Sequence, residues 1–292
     1  MFNKVAIFGV GLIGGSFALS LKKAGMVGEI VGLDRSDASL VRANELGIID
    51  RAAESAADAV HGADLVLLAA PVAQTGAVLE SIAPHLQPGI IVTDTGSTKA
   101  DVVAAARAAL GNRIDQFVPG HPIAGRETNG PDAAIDHLYR GKKVVLAPLP
   151  ENRKEDVERV AAAWTACGAV IHHLSPEKHD LVFASVSHLP HLLAYALVDD
   201  IANKPHADLL FQYAASGFRD FTRIAGSSPE MWRDISLANR AALLDELDAY
   251  MVQLRRLRAS LAASDGGALE TVYTNAQHAR HEWIKAIEAA EK

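Results

Sequence analysis

The sequence predicts an α/β protein: a doubly wound, mostly parallel sheet over residues 1–174, followed by an all-α domain over residues 175–292. Three observations predict it. Nearly continuous apolar runs alternate with alanine-rich helical stretches up to about residue 172, as in a parallel sheet covered on both faces. A glycine-spaced turn, GVGLIGG, directly follows the first run. Beyond about residue 175 no strand pattern remains, and the segments are long and amphipathic.

In chain order, KVAIFG, EIVGLD, ADLVLLAAP, GIIVTDTG, QFVPG, KKVVLAP and GAVIHHL read as strands. Helices are expected between them at 15–24, 37–46, 74–84, 99–110 and 153–166. The second domain is expected to hold helices 176–201, 206–216, 229–262 and 266–290. The longest opens with Ser228-Pro229, a capping residue followed by proline at the first helical position. Its Leu243, Leu247, Tyr250, Leu254, Leu257 and Leu261 form an apolar seam with spacings of 4, 3, 4, 3 and 4. Such a seam fits either an internal helix contact or a homodimer interface, and periodicity does not separate the two.

With 292 residues, 49% hydrophobic and 22% charged, the chain can bury a sizeable core. A formal net charge of -7 argues against a nucleic-acid partner, which needs a basic surface. The single cysteine, Cys167, cannot form an intramolecular disulfide, so a cytoplasmic location is expected. Residues 5–21 are uncharged but short for a membrane span, and glycines at 9, 11, 14 and 15 fit a strand, turn and helix better. No membrane association is expected.

Gly9, Gly11 and Gly14, with Leu12 and Ile13 between the last two, have the GxGxxG spacing of a Rossmann-type dinucleotide site. The first glycine permits the turn, the second admits a pyrophosphate, and the third lets helix and strand pack. Asp34, 20 positions beyond Gly14, ends the second strand where a carboxylate can accept the adenine ribose hydroxyls. Its charge favours NAD, whereas Arg35 and Ser36 would suit NADP if Asp34 turned away.

A nicotinamide domain implies hydride transfer, and hydride leaving a carbinol carbon needs a base for the hydroxyl proton. In VPGHPIAGRETNG, residues 118–130, His121 follows a strand end and is flanked by Gly120 and Pro122, which restrict and expose it. Ser97, Thr98 and Lys99 at another strand end can hydrogen-bond a base or substrate, or cap a helix. His188 and His191 stand one turn apart beside Pro190 in an apolar helix, suggesting a lined pocket. No carboxylate or cysteine lies at ligand spacing there, so no metal is expected. His172 and His173 stay undecided, and the remaining histidines noted, at 61, 85, 137, 206, 278 and 281, read as surface residues. Arg219, Arg223 and Arg233 with Asp220 and Asp234 fit a surface ion-pair network, but their interleaving with aromatic and apolar residues is expected to hold at least one guanidinium against apolar surface, where it would bind an anionic substrate.

Together DTGSTK, GHPIAGRETNG, SHLPH, GFRDFTRIA and MWRDI, with the glycine motif, resemble the prephenate/arogenate (cyclohexadienyl) dehydrogenase family along essentially the whole chain. The resemblance implies oxidative decarboxylation of prephenate, or of arogenate, in tyrosine biosynthesis. Hydride passes to NAD(P)+, the ring carboxylate leaves as CO2, and the ring becomes aromatic. It further implies His121 as proton acceptor, Ser97 orienting that exchange, and His188 and His191 lining the substrate pocket. Arg223 is implied to bind a substrate carboxylate, and Glu127 to gate the pocket or tune a pKa. The family's helical domains pair in an intertwined homodimer, and tyrosine feedback, where it operates, is expected at the active site. Two other readings fit the domain pattern: a β-hydroxyacid dehydrogenase, which typically uses a lysine of its helical domain, and a non-catalytic dinucleotide sensor.

Overall fold

In the computed structural model, which describes residues 1–126 and 128–290, strand β1 (Phe2–Phe8) is central because both its faces are apolar. Val5 and Ile7 enter the core on one side of the sheet, and Ala6 and Phe8 the core on the other. β4 (Leu65–Leu68) repeats the alternation, with Leu65 and Leu67 opposite Val66 and Leu68. With β2 (Val27–Leu33), β3 (Arg51–Ala52), β5 (Ile91–Asp94) and β6 (Phe117–Val118) they form a six-stranded sheet, ordered β3-β2-β1-β4-β5-β6. Every pair in it is parallel. Strand order reverses between β1 and β4, which opens a crevice at the carboxyl ends of the strands.

Helices α1 (Leu12–Lys23), α2 (Asp37–Glu45), α3 (Ala56–Val60), α4 (Thr75–Ile82), α5 (Ala100–Leu110) and α6 (Lys154–Ala166) cover both faces. The bounds of all but α3 match the sequence expectation to within a few residues, and α3 is a short helix outside that expectation. On one side Phe17 of α1 and Tyr139 pack on Trp164 of α6, with ring centroids 4.6 and 5.0 Å away.

The remaining three strands depart from the expected single sheet. Pro119 has no N–H to continue the ladder after β6. The chain instead starts a second sheet of β7 (Gly120–Pro122), β8 (Lys143–Leu146) and β9 (Val170–His173). β7 runs antiparallel to β8, with His121 opposite Val145, so His121 stands on a short strand rather than in a loop. His172 and His173 are exposed on β9.

The expected helix 176–201 is also interrupted. α7 (Pro176–Phe183) and α8 (Leu189–Ala202) are joined by a π-helical turn, Ala184–His188, immediately before Pro190. Proline supplies no N–H to the preceding turn, and the wider hydrogen-bond pattern accommodates the gap. α9 (Ala207–Gln212), α10 (Ser216–Thr222) and α11 (Pro229–Ala238) follow. Ser228 caps α11 by accepting from the Met231 amide at 3.4 Å. The expected helix 229–262 is broken at Asn239, whose buried side chain donates to the Asp180 carbonyl at 2.8 Å. α12 (Arg240–Ala262) starts beyond it.

Two compact units result, Met1–Arg240 and Ala241–Lys292. The first contains both sheets and α1 to α11. The second contains the rest of α12 and α13 (Gly266–Ala290). Along the seam Leu243 is buried and Leu247 and Leu257 are half-buried, but Tyr250, Leu254 and Leu261 are 37%, 45% and 62% exposed, so the chain leaves half of the seam uncovered.

Candidate active site

Two groups of residues meet the carboxyl ends of the large sheet. The first is the glycine turn after β1. Gly9 has φ +99°, and a Cβ there would lie 2.6 Å from the Ala69 carbonyl oxygen. A Cβ on Gly14 would stand 2.1 Å from the Gly9 carbonyl oxygen, so both positions exclude a side chain. Gly11 differs: the nearest atom to its would-be Cβ is the Gly130 amide nitrogen at 3.9 Å. The space a side chain would fill is an open cradle at the start of α1, and among the described residues no side chain caps that helix. Leu12 is buried in the core and Ile13 accepts the Tyr139 hydroxyl at 2.6 Å, which fixes the first turn. Uncapped amides behind an open cradle suit a pyrophosphate.

Asp34 is oriented by backbone. Its carboxylate accepts from the Val10 amide and the Ser36 amide, each at 3.0 Å, so it faces the glycine turn. Arg35 is exposed. The Ser36 hydroxyl accepts from the Ser39 amide at 3.2 Å as the cap of α2.

The second group surrounds His121. Its Nδ1 lies 2.8 Å from Nε2 of His179 on α7, and His179 Nδ1 lies 2.8 Å from Asp180. Asp180 also accepts the amides of Lys99 and Ala100 at 2.8 Å each, at the start of α5. Burial pushes the Asp180 carboxyl up, but the bonds from His179 and the two amides outweigh it and hold it below its ordinary value. An ionised Asp180 can only accept, so the proton between it and His179 sits on His179 Nδ1. Burial foremost keeps His179 neutral, which leaves its Nε2 bare and assigns the next proton to His121 Nδ1. The Nε2 of a neutral His121 therefore carries a free lone pair.

His121 is held well below the ordinary histidine range by burial first, then by the potential of His179, Lys99 and His188. Phe183 covers it, with ring centroids 5.0 Å apart. Beneath it Lys99 is wholly buried and paired with Asp94, which also accepts the amides of Gly96 at 2.8 Å and Gly120 at 3.0 Å. Asp94 thus ties the end of β5 to the strand bearing His121.

Ser97 is half-buried between β5 and α5 and makes a backbone hydrogen bond with His188. His188 is buried, receives the Asn239 amide at 3.1 Å, and is lowered to about 4, chiefly by burial. His191 donates from Nδ1 to the Ser187 carbonyl at 2.8 Å, which places its proton there, and stacks on Trp232 at 3.4 Å. Burial lowers His191, and the Arg223 guanidinium lowers it further. Arg223 therefore lies close to His191, whereas Arg219 and Arg233 pair with their neighbours Asp220 and Asp234. Glu127 lies outside the described residues. Although Pro176–Ala202 is apolar and long enough by composition to cross a membrane, His179, Asp180 and His188 fasten it to the rim of the sheet.

Sequence reasoning passes over His179, Asp180 and Asn239. A signal for the first two exists: Pro176, His179, Asp180 and Phe183 are the buried residues of α7, at the i, i+3, i+4, i+7 spacing of a core-facing stripe. A histidine and an aspartate on such a stripe must be paired.

Models of two domains match the chain: "prephenate dehydrogenase, nucleotide-binding domain" over residues 17–173 and "prephenate dehydrogenase, dimerization domain" over residues 175–274. Cyclohexadienyl dehydrogenase of Zymomonas mobilis is 38% identical over 96% of this chain and 96% of its own length. Prephenate dehydrogenase of Bacillus subtilis is 38% identical over 96% of this chain and 76% of its own. Among solved structures, prephenate dehydrogenase of Aquifex aeolicus in complex with hydroxyphenyl propionate and NAD+ superposes with a TM-score of 0.90. It shares 38% identity and covers 97% of this chain and 98% of that one.

Proposed function

Because the chain belongs to the prephenate dehydrogenase family, we propose that it converts prephenate to 4-hydroxyphenylpyruvate and CO2 with NAD+ as oxidant. Tyrosine biosynthesis in the cytoplasm is the setting, and arogenate is a second substrate to be tested. One observation carries the reading: the hydrogen-bonded line from Asp180 through His179 to His121 Nδ1, which turns His121 Nε2 away from its partners, beside a glycine turn at the strand ends that fits a dinucleotide.

Bound NAD+ supplies the nicotinamide carbon that takes up the hydride. Gly9, Gly11 and Gly14, with the amides of Leu12 and Ile13, hold the pyrophosphate, and Asp34 takes the ribose hydroxyls. Asp34 stays turned to the glycine turn, so its charge disfavours the extra phosphate of NADP. His121 Nε2 removes the proton of the ring hydroxyl as hydride leaves the same carbon, and the carboxylate on the opposite ring carbon departs as CO2. Ser97 orients the hydroxyl toward His121. Arg223 binds a substrate carboxylate, His191 on its Trp232 platform lines the pocket, and His188 supports Ser97. Glu127 is assigned the pocket entrance. Aromatisation drives the step, so the protein needs only to position, deprotonate and bind charge. Residues 1–174 serve as the nucleotide domain and 175–292 as the substrate and dimerisation domain. A homodimer covers the exposed seam on α12.

Incubating the protein with prephenate and NAD+ tests this. NADH and 4-hydroxyphenylpyruvate should appear in equal amounts, and NADP+ should work less well. Nucleotide binding without either product would refute the reading and favour a sensor.

A further inference from the structure

The line Asp180–His179–His121 is more than His121 needs to stay in place, since β7 and Phe183 already hold it. Its charge content is specific: one buried ammonium, Lys99, against two carboxylates, Asp94 and Asp180. Asp94 is taken by Lys99, and Asp180, held by the Lys99 and Ala100 amides, is the carboxylate in line with the two imidazoles. His188, the other titratable group near His121, is bonded to Asn239 and Ser97 instead.

We propose that His179 and Asp180 are positioning residues that fix the Nδ1–H tautomer of His121 and receive part of the positive charge His121 gains during turnover. This rests on His121 being the base. The proton of the ring hydroxyl forms a bond to His121 Nε2, and the Nδ1 proton of His121 is then shared with His179 Nε2. His179 keeps its own proton on Nδ1, toward Asp180. One proton enters, none is created, and it returns to solvent after the product leaves. The same logic of a buried carboxylate selecting an imidazole tautomer operates in serine proteases.

Nitrogen-15 NMR of the full-length protein, with histidine labelled, reads the tautomer without any turnover. His121 should show Nε2 bare and Nδ1 protonated in the parent. In Asp180→Asn the side-chain oxygen stays toward His179 Nδ1 and the Lys99 amide but loses its charge, so the tautomer preference weakens and a fraction of His121 should become protonated at Nε2. Kinetically, His179→Leu removes the acceptor and should lower kcat by about 10²-fold with little change in KM. His179→Gln offers a carbonyl to His121 Nδ1 and should recover kcat to within about tenfold of the parent. A parent His121 protonated at Nε2, or Leu and Gln variants with equal kcat, would overturn the proposal. If the parent turns over no prephenate, the functional reading fails, while the NMR result still decides the tautomer.

Discussion

The glycine turn and the imidazole cluster both lie at the carboxyl ends of the six-stranded sheet but work by opposite means. The turn acts through missing side chains: Gly9 and Gly14 let backbone approach backbone, and Gly11 leaves a cradle before the α1 amides. The cluster acts through side chains buried at a cost, with Lys99, Asp94, Asp180, His179 and His188 all withdrawn from water. The difference teaches where each end is vulnerable. Altering Gly11 should harm binding and spare the fold, whereas removing one partner of the buried charge pair should harm the fold.

The largest expected effect is on turnover. His121→Asn removes the bare Nε2 and should cost about 10²- to 10⁴-fold in kcat while leaving NAD+ affinity intact, as read by steady-state kinetics and calorimetry. Unchanged turnover would remove His121 from the chemistry. Next comes the buried pair. Lys99→Met strands Asp94 without its cation and should cost about 3–5 kcal/mol in urea unfolding. Gly11→Ala makes the opposite case: it should stay within about 0.5 kcal/mol of the parent yet lose most nucleotide affinity. Equal stability losses in the two variants would erase the contrast.

Acid should loosen the cluster first. His188 is lowered from 6.5 to about 4, so the folded state prefers it neutral. Above pH 6.5 both folded and unfolded states have it neutral, and its contribution is complete. As pH falls from 6.5 toward 4, only the unfolded state gains the proton, and stability drops by about 3 kcal/mol at 1.36 kcal/mol per unit. His121 and His179 shift in the same direction and add to the loss. The same sign governs catalysis: kcat/KM should be level through neutral pH and fall only below the ordinary histidine range. From sequence alone an imidazole-like rise toward neutral pH is expected; burial moves it to lower pH. A denaturation midpoint unchanged between pH 7 and 4.5 would contradict this assignment. The smallest effect is at the substrate end, where Arg223→Ala should raise KM by the equivalent of about 1.5–3 kcal/mol. A normal KM would dismiss Arg223 as the carboxylate contact.

The same contrast explains what could be read from the chain. The glycine turn, the acid at the end of the second strand and the strand-helix alternation are local, and six consecutive residues with their flanks carry the nucleotide site. His121 was visible because Gly120 and Pro122 mark it. The residues that set its proton were not, because His179 lies 58 positions away and Asp180 meets the Lys99 amide from 81 positions away. Nor do helical patterns alone reveal that Pro119 would divide the sheet, that Pro190 would induce a π turn, or that Asn239 would leave its helix to bond Asp180 and His188.

Prephenate carrying deuterium on the ring carbon that bears the hydroxyl tests the central claim most directly. With unlabelled NAD+, the account predicts that the deuterium is recovered on the nicotinamide ring of the reduced coenzyme, one for each CO2 released. Reduced coenzyme without the label, or CO2 released with no reduced coenzyme, would contradict it.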